Sequence, residues 1–260
     1  MSTELTLRRN HLAEHRRMIV GRSLAASLAG LIPFPMFDEW LCSSINRGTI
    51  RRIASARKVD VDDEAVRAIA DGPSAPPQWS ELAGGALAFR ILSKTWRKIL
   101  VTYLATRRAQ AATRYFTIAT LFDHYCARLH VGLGLDGPTA TELRALMSRA
   151  VEATPGSIGK RVFRRGAMAA ARATVRAPME LLDIASGGAI RRLLTRGSDE
   201  VTAIEEVDNA LEADLQSQKS FLARAATAIE LQLSADQNPY IDELLTRFED
   251  LLQTELSRGT

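Results

Sequence analysis

The sequence predicts an all-α chain, a multi-helix bundle of about seven to nine helices that opens with an N-terminal helical hairpin. Two observations predict it: three- and four-residue apolar spacing recurs along the chain, and no window alternates apolar and polar residues long enough to compete as a strand. A third is the placement of breakers and caps, which fall between the periodic segments rather than inside them.

The first helix is expected from about Glu4 to Gly30, ended by Pro33 and Pro35, which lack an amide donor and restrict the residues before them. A second follows to Arg57, with Asp38 as its cap. The acidic run Asp60–Glu64 suits the positive end of a short third helix. Gly72–Gln78, with three prolines, reads as a linker. Beyond it a long helical stretch is expected from Ser80 to about Val131, stopped by the glycines of Gly132–Pro138. Thr139 and Glu142 form a capping-box pattern for a helix to Ala153, and Pro155-Gly156 closes it. Ser157–Leu194 is again helical in pattern, with a kink expected at Pro178 and a weak point at Gly187-Gly188. An acidic amphipathic helix opens at Ser198–Glu200 and is carried by Ile204, Val207, Leu211, Leu215, Leu222, Ala225 and Ile229. Asn238-Pro239 starts the last, running through Leu244, Phe248 and Leu252. The expected organisation is therefore a hairpin module (1–71), a basic helical body (80–197) and an acidic C-terminal helical pair (198–260) packed on that body.

Charge divides along the same lines. The net charge is +4, but residues 199–260 hold four basic and fourteen acidic groups, net −10, which leaves +14 on the rest. A basic body of this kind suits an anionic partner, and an acidic tail either stays in water or folds back. Two cysteines, Cys42 and Cys126, supply no disulfide framework and fit a reducing compartment. Met1–Arg9 lacks the apolar core and cleavage site of an export signal, so the expected location is cytoplasmic, with peripheral attachment at the inner membrane.

No segment carries a strong catalytic signature. His11-Leu12-Ala13-Glu14-His15 matches the inverted zinc-protease pattern, in which two histidines one turn apart bind metal and the glutamate activates water. Arg8, Arg9, Arg16 and Arg17 flank it and oppose a dication, so a solvated helix face is the expected reading. Asp123, Cys126 and His130 share a helix face and form a second candidate set, as metal ligands or as a hydrolase nucleophile with its base. His11, His15, Cys126 and His130 are the candidate His and Cys metal ligands, and no resident metal is expected. Gly132–Gly137 formally fits the dinucleotide fingerprint, with Glu152 twenty residues on, but it follows a helical pattern where the fingerprint needs a strand. No cofactor is expected.

Basic amphipathic segments carry more weight. Arg90, Lys94, Arg97 and Lys98 interleave with Trp96, and Lys160–Arg165 contributes Arg161, Arg164 and Arg165 around Phe163. Cations interleaved with aromatic and aliphatic groups suit an anionic bilayer surface, as they equally suit a solvated face of a packed helix. Phe34, Met36, Phe37 and Trp40 at the hairpin turn complete the candidate membrane contacts. Met18–Phe37 has about the twenty residues of a span, yet Arg22 interrupts it, small residues dilute it and prolines end it. Burial in a bundle or shallow insertion is the expectation.

An Ala/Gly-rich helix, then Ile32-Pro33-Phe34-Pro35 with Asp38 shortly after, then an amphipathic helix through Ile53 and Ala54, resembles the YcjF-like and EcsC-like bacterial domains. Those domains look membrane-associated, and some are fused to Era-like GTPases. The likeness covers residues 24–54, about forty positions with their flanks. This chain departs from it in having no GTPase motif, no spanning pair upstream and Lys58-Val59-Asp60 where a Tyr-Gly-like helix end is expected. The resemblance implies membrane association and no catalytic residues. The sequence thus points to a non-enzymatic interaction or scaffolding module whose partner is an anionic membrane surface or a protein. Two alternatives stand beside it: a nucleic-acid-binding helical protein, and a hydrolase using Asp123, Cys126 and His130.

Overall fold

A computed structural model describes residues 2–29, 37–73, 96–132, 134–156, 200–217, 220–235 and 239–258. The described residues form eight α-helices and one very short sheet. In chain order they are α1 (Ser2–Ala29), α2 (Phe37–Arg57), α3 (Asp63–Asp71), α4 (Trp96–His124), α5 (Gly137–Ala153), α6 (Glu200–Gln216), α7 (Phe221–Ala235) and α8 (Tyr240–Arg258). A π-helical turn, Tyr125–Leu129, finishes α4.

Helix α1 lies at the centre. It packs on α2, α4 and α7, and its second half has no solvent face: Val20, Leu24, Ala25, Ala26, Leu28 and Ala29 are all fully buried. A helix surrounded on every side has no reason to be amphipathic, which explains why this stretch resembles a membrane span in composition. Burial within the fold occupies the apolar run, and among the described residues no helix is long and apolar enough to cross a membrane. Small residues set how closely neighbours approach. A Cβ on Gly21 would run into the Leu215 side chain of α6 and lie 3.4 Å from Ala226 of α7.

The ends of α2 and α3 follow from local chemistry. Asp62 caps α3, its carboxylate accepting from the Ala65 amide at 2.6 Å, and Gly72 closes the helix at φ +67°, its amide donating to the Ala68 carbonyl at 3.1 Å. Between α2 and α3, Asp60-Val61 (β1) pairs in parallel with Gly134-Leu135 (β2), Asp60 opposite Gly134 and Val61 opposite Leu135. The sequence offers no strand signal for either pair. Two residues cannot show periodicity, and the bridge exists because packing of α3 on α5 brings the two connections together.

Two further expectations are corrected. Helix α5 is capped by Asp136, not Thr139: the Asp136 carboxylate accepts from the Thr139 amide at 3.0 Å, with Pro138 in the first turn where no donor is needed. The long acidic helix is also two helices, α6 and α7, so the acidic region holds three helices rather than a pair. Ser220 caps the second of them, its hydroxyl accepting from the Ala223 amide at 2.9 Å. The linker 74–78, the start of the expected Ser80–Val131 helix and the 157–199 body lie outside the described residues, as do Asn238 and the hairpin turn 30–36.

Candidate functional site

Three polar arrangements are built into this helical frame. The first joins the two histidine-bearing segments that the sequence presents separately. Asp123, at the end of α4, is fully buried, and its Oδ1 accepts from His15 Nδ1 at 2.9 Å and from Arg57 Nε at 2.8 Å. Its Oδ2 accepts from Arg57 Nη2 at 3.2 Å. The Arg57 guanidinium also donates to Glu14 Oε2 at 3.0 Å and to the His11 carbonyl at 2.6 Å, so it pins α1 to α4. Its hydrogen bond with Asp123 raises its pKa further. Beside it, His11 Nε2 lies 3.0 Å from His124 Nδ1, and His124 Nε2 lies 2.9 Å from Glu249 Oε1 on α8. If His124 donates to Glu249, its Nδ1 is an acceptor and His11 is the donor between the rings.

This cluster is held by internal hydrogen bonds around Asp123 and His124, with His11 Nδ1 and His130 Nε2 buried without a partner among the described residues. Burial, then the neighbouring His124 and Arg128, push His11 down to about 4. Burial also lowers His124, against the opposing pull of Glu249. The Cys126 thiol is pushed up to about 12 by burial and by Asp123, the opposite of what a thiolate nucleophile requires. His130 faces the Tyr125 hydroxyl at 3.3 Å, while both carboxylate oxygens of Asp123 are engaged elsewhere. The helix-face argument for Asp123, Cys126 and His130 assumed a regular helix, and the π turn at Tyr125–Leu129 breaks that regularity. Nor do His11 and His15 converge on one point, since each has its own partner on α4. Among the described residues no group of three or more His, Cys, Asp or Glu side chains could hold a metal ion.

The second arrangement joins the acidic helix α6 to the two hairpin helices, α1 and α2. Arg22, the charge that interrupts the apolar run, is fully buried and donates to Asp208 Oδ1 on α6 at 2.6 Å, with Glu212 3.5 Å away. Arg52 on α2 takes the other Asp208 oxygen at 2.6 Å and also lies 3.5 Å from Glu212. Burial alone would raise the Asp208 carboxyl, but Arg22 and Arg52 outweigh it and hold the group below the usual carboxylate range. Gly48 makes room for the pair: a Cβ there would run into the Asp208 carboxylate and lie 3.2 Å from Arg22 Nη1. Further out, Arg149 of α5 meets Glu255 of α8 at 2.8 Å. The acidic helices therefore meet arginines of the two hairpin helices, Arg22 and Arg52, and Arg149 of α5. Nothing local in the sequence marks Asp208 as the partner of a residue 186 positions earlier.

The third is a cavity of about 630 Å³ between α2, α3, α4 and α5, with Ser23 of α1 on its wall. Asp71 stands at one side, its carboxylate taken by Arg47 at 2.8 Å and by the Ser43 hydroxyl at 2.7 Å. Arg114 and Arg144 line the same cavity, Arg144 near enough to Asp71 to feel its charge, and sequence patterning gave no signal for either arginine. Of the candidate membrane contacts, Trp40 is 2% exposed and packs in the core. It is therefore unavailable to a bilayer in this conformation. Phe37, Trp96, Arg97 and Lys98 sit on described helices, but their side chains lie outside the description, as do Phe34, Met36, Arg90, Lys94, Arg161, Arg164 and Arg165 altogether.

No family model, curated protein or solved structure matches this chain.

Proposed function

We propose that the protein is a non-enzymatic helical module that associates peripherally with anionic membrane surfaces and acts there as an interaction or scaffolding unit. The observation that carries this reading is uneven neutralisation. The acidic helices engage Arg22, Arg52 and Arg149, yet exposed Arg67, Arg114 and Arg128 have no carboxylate within ion-pair distance among the described residues. Exposed arginines of this kind would attract anionic headgroups within a Debye length. The resemblance of residues 24–54 to membrane-associated bacterial domains points in the same direction. The polar cluster around Asp123 supports a non-enzymatic role, because Asp123 is taken up by His15 and Arg57 and burial keeps the Cys126 thiol protonated. The matching location is the cytoplasmic face of the inner membrane.

Co-sedimentation with phosphatidylglycerol vesicles and with phosphatidylcholine vesicles tests this. The expected result is pelleting with the anionic vesicles only, weakening as salt rises. Binding to duplex DNA with a steep salt slope, and indifference to anionic vesicles, would replace the membrane reading with the nucleic-acid one.

A further inference from the structure

We propose that the cavity between α2, α3, α4 and α5 is a binding site for the phosphate group of a ligand, held by Arg114 and Arg144. This does not depend on the membrane reading, because the ligand could be a soluble phosphate compound or a phosphate headgroup. Those two sources share one chemistry: a compact dianion that accepts from two guanidinium groups.

Arg144 carries the inference. It is only 7% exposed, its Nε has no hydrogen-bond partner, and Nη1 reaches only the Ser148 hydroxyl, at 3.4 Å. No carboxylate forms an ion pair with it among the described residues, although a buried guanidinium is costly without one. The nearest candidate, Asp71, is already committed to Arg47 and Ser43. A second cation, Arg114, faces the same cavity and lowers Arg144 further, so that burial and this neighbour together bring it to about 10. The guanidinium is also held in place from behind. A Cβ on Gly72 would lie 3.4 Å from Arg144 Nε and 3.6 Å from Nη2, so the side chain rests against the glycine that closes α3.

Two arginines with no ion-paired carboxylate among the described residues, one of them drawing only partial compensation from Asp71, stand at the wall of a cavity large enough for a small molecule and are under-compensated until an anion arrives. Glu39 and Asp71 also line the cavity and would disfavour an anion beside them, Asp71 less so because Arg47 neutralises it; the phosphate is therefore assigned to the two guanidinium groups. Asn46 and Gln110 place amides at the same cavity wall for the remainder of the ligand, beside Ile50 and Ile118.

The test is thermal unfolding of the full chain in inorganic phosphate against chloride at equal ionic strength, for the wild type, Arg114→Gln and Arg144→Met. Phosphate stabilises many proteins without binding a site, so the readout is the saturable part of the rise in Tm. At a hundredfold excess over Kd that part is expected to reach about 5–10 °C in the wild type and to vanish in both variants. In chloride, Arg144→Met is expected to match or exceed the wild-type Tm, since it removes an uncompensated buried charge. Arg114 is exposed, so Arg114→Gln reports even if the Arg144 variant does not fold. A parallel arm uses vesicles of phosphatidic acid against phosphatidylglycerol. Saturation by soluble phosphate, with vesicle binding unchanged by Arg114→Gln, identifies a soluble ligand. Selective binding to phosphatidic acid that Arg114→Gln abolishes identifies a headgroup. If wild type and Arg114→Gln respond identically in both arms, the proposal is overturned.

Discussion

Asp208→Asn removes one charge from the pair that fixes the acidic helices to the centre of the fold. Arg22 is fully buried, Asp208 Oδ1 is 2.6 Å from it, and among the described residues the only other carboxylate in reach is Glu212 at 3.5 Å. Removing one partner of a buried ion pair costs about 3–5 kcal/mol, chiefly because the other charge stays buried and unpaired. Glu212 remains and the Asp208 side chain is 20% exposed, which places the loss near the low end, about 3 kcal/mol. For a chain of this length each kcal/mol moves Tm by about 2–4 °C, so a fall of about 6–12 °C is expected. Helical ellipticity on heating measures it. Arg22→Met alone should cost less, and the double variant should be more stable than the sum of the two single losses, because it leaves no orphaned charge. The pH dependence has a definite sign. A carboxyl held below its unfolded value of 3.8 contributes stability that is present above 3.8 and lost as pH falls through the lowered value; Asp208→Asn lacks that step. A variant whose Tm matches the wild type, or additive losses in the double variant, would refute the assignment of Arg22 to Asp208.

Other outcomes follow from the same geometry. His11 titrates near 4 in the fold and near 6.5 unfolded, so the unfolded chain takes up the proton first and stability falls as pH drops from 6.5 towards 4. His11→Gln should flatten that limb in urea midpoints taken on either side of 6.5; an unchanged limb would show that this imidazole is not its source. Cys126, with its thiol near 12, should resist iodoacetamide at neutral pH in the native protein and react once urea unfolds it, whereas prompt native alkylation would contradict its burial. Gly48→Ala should lower stability by about 1–2 kcal/mol despite the gain of about 1 kcal/mol in helix propensity, and a stabilised variant would show that the Asp208 carboxylate can move aside. Asp136→Ala should lower the urea midpoint while Thr139→Ala leaves it in place; the reverse order would restore the capping box at Thr139.

The helical class and the hairpin arms were legible because their determinants are local. Prolines 33 and 35 fall between α1 and α2, and the acidic run before α3 includes its cap, Asp62. The α5 cap was misread because Thr139 and Glu142 imitate a capping box, while Asp136 followed by Gly137-Pro138 satisfies the same amide one turn earlier. The break between α6 and α7 was missed because it contains neither proline nor glycine. Of the site, the histidines, Asp123 and Cys126 were identified as residues, but their relations were not: His11 meets His124 and His15 meets Asp123 across more than a hundred residues. Arg22 was visible as a lone charge in an apolar run. Its meaning depended on an acidic helix whose own pattern says only that one face is polar.

That distance has a consequence for how the protein is made. Arg22 leaves the ribosome 186 residues before Asp208, an interval of roughly 10–40 s at ordinary rates of translation. Throughout that time α1 lacks its packing against α6 and α7, and Arg22 has no carboxylate from α6 to receive it. Assembly of the core is thereby deferred until α6 has been synthesised, so truncation before Asp208 should yield a chain that a chaperone retains rather than a smaller folded domain.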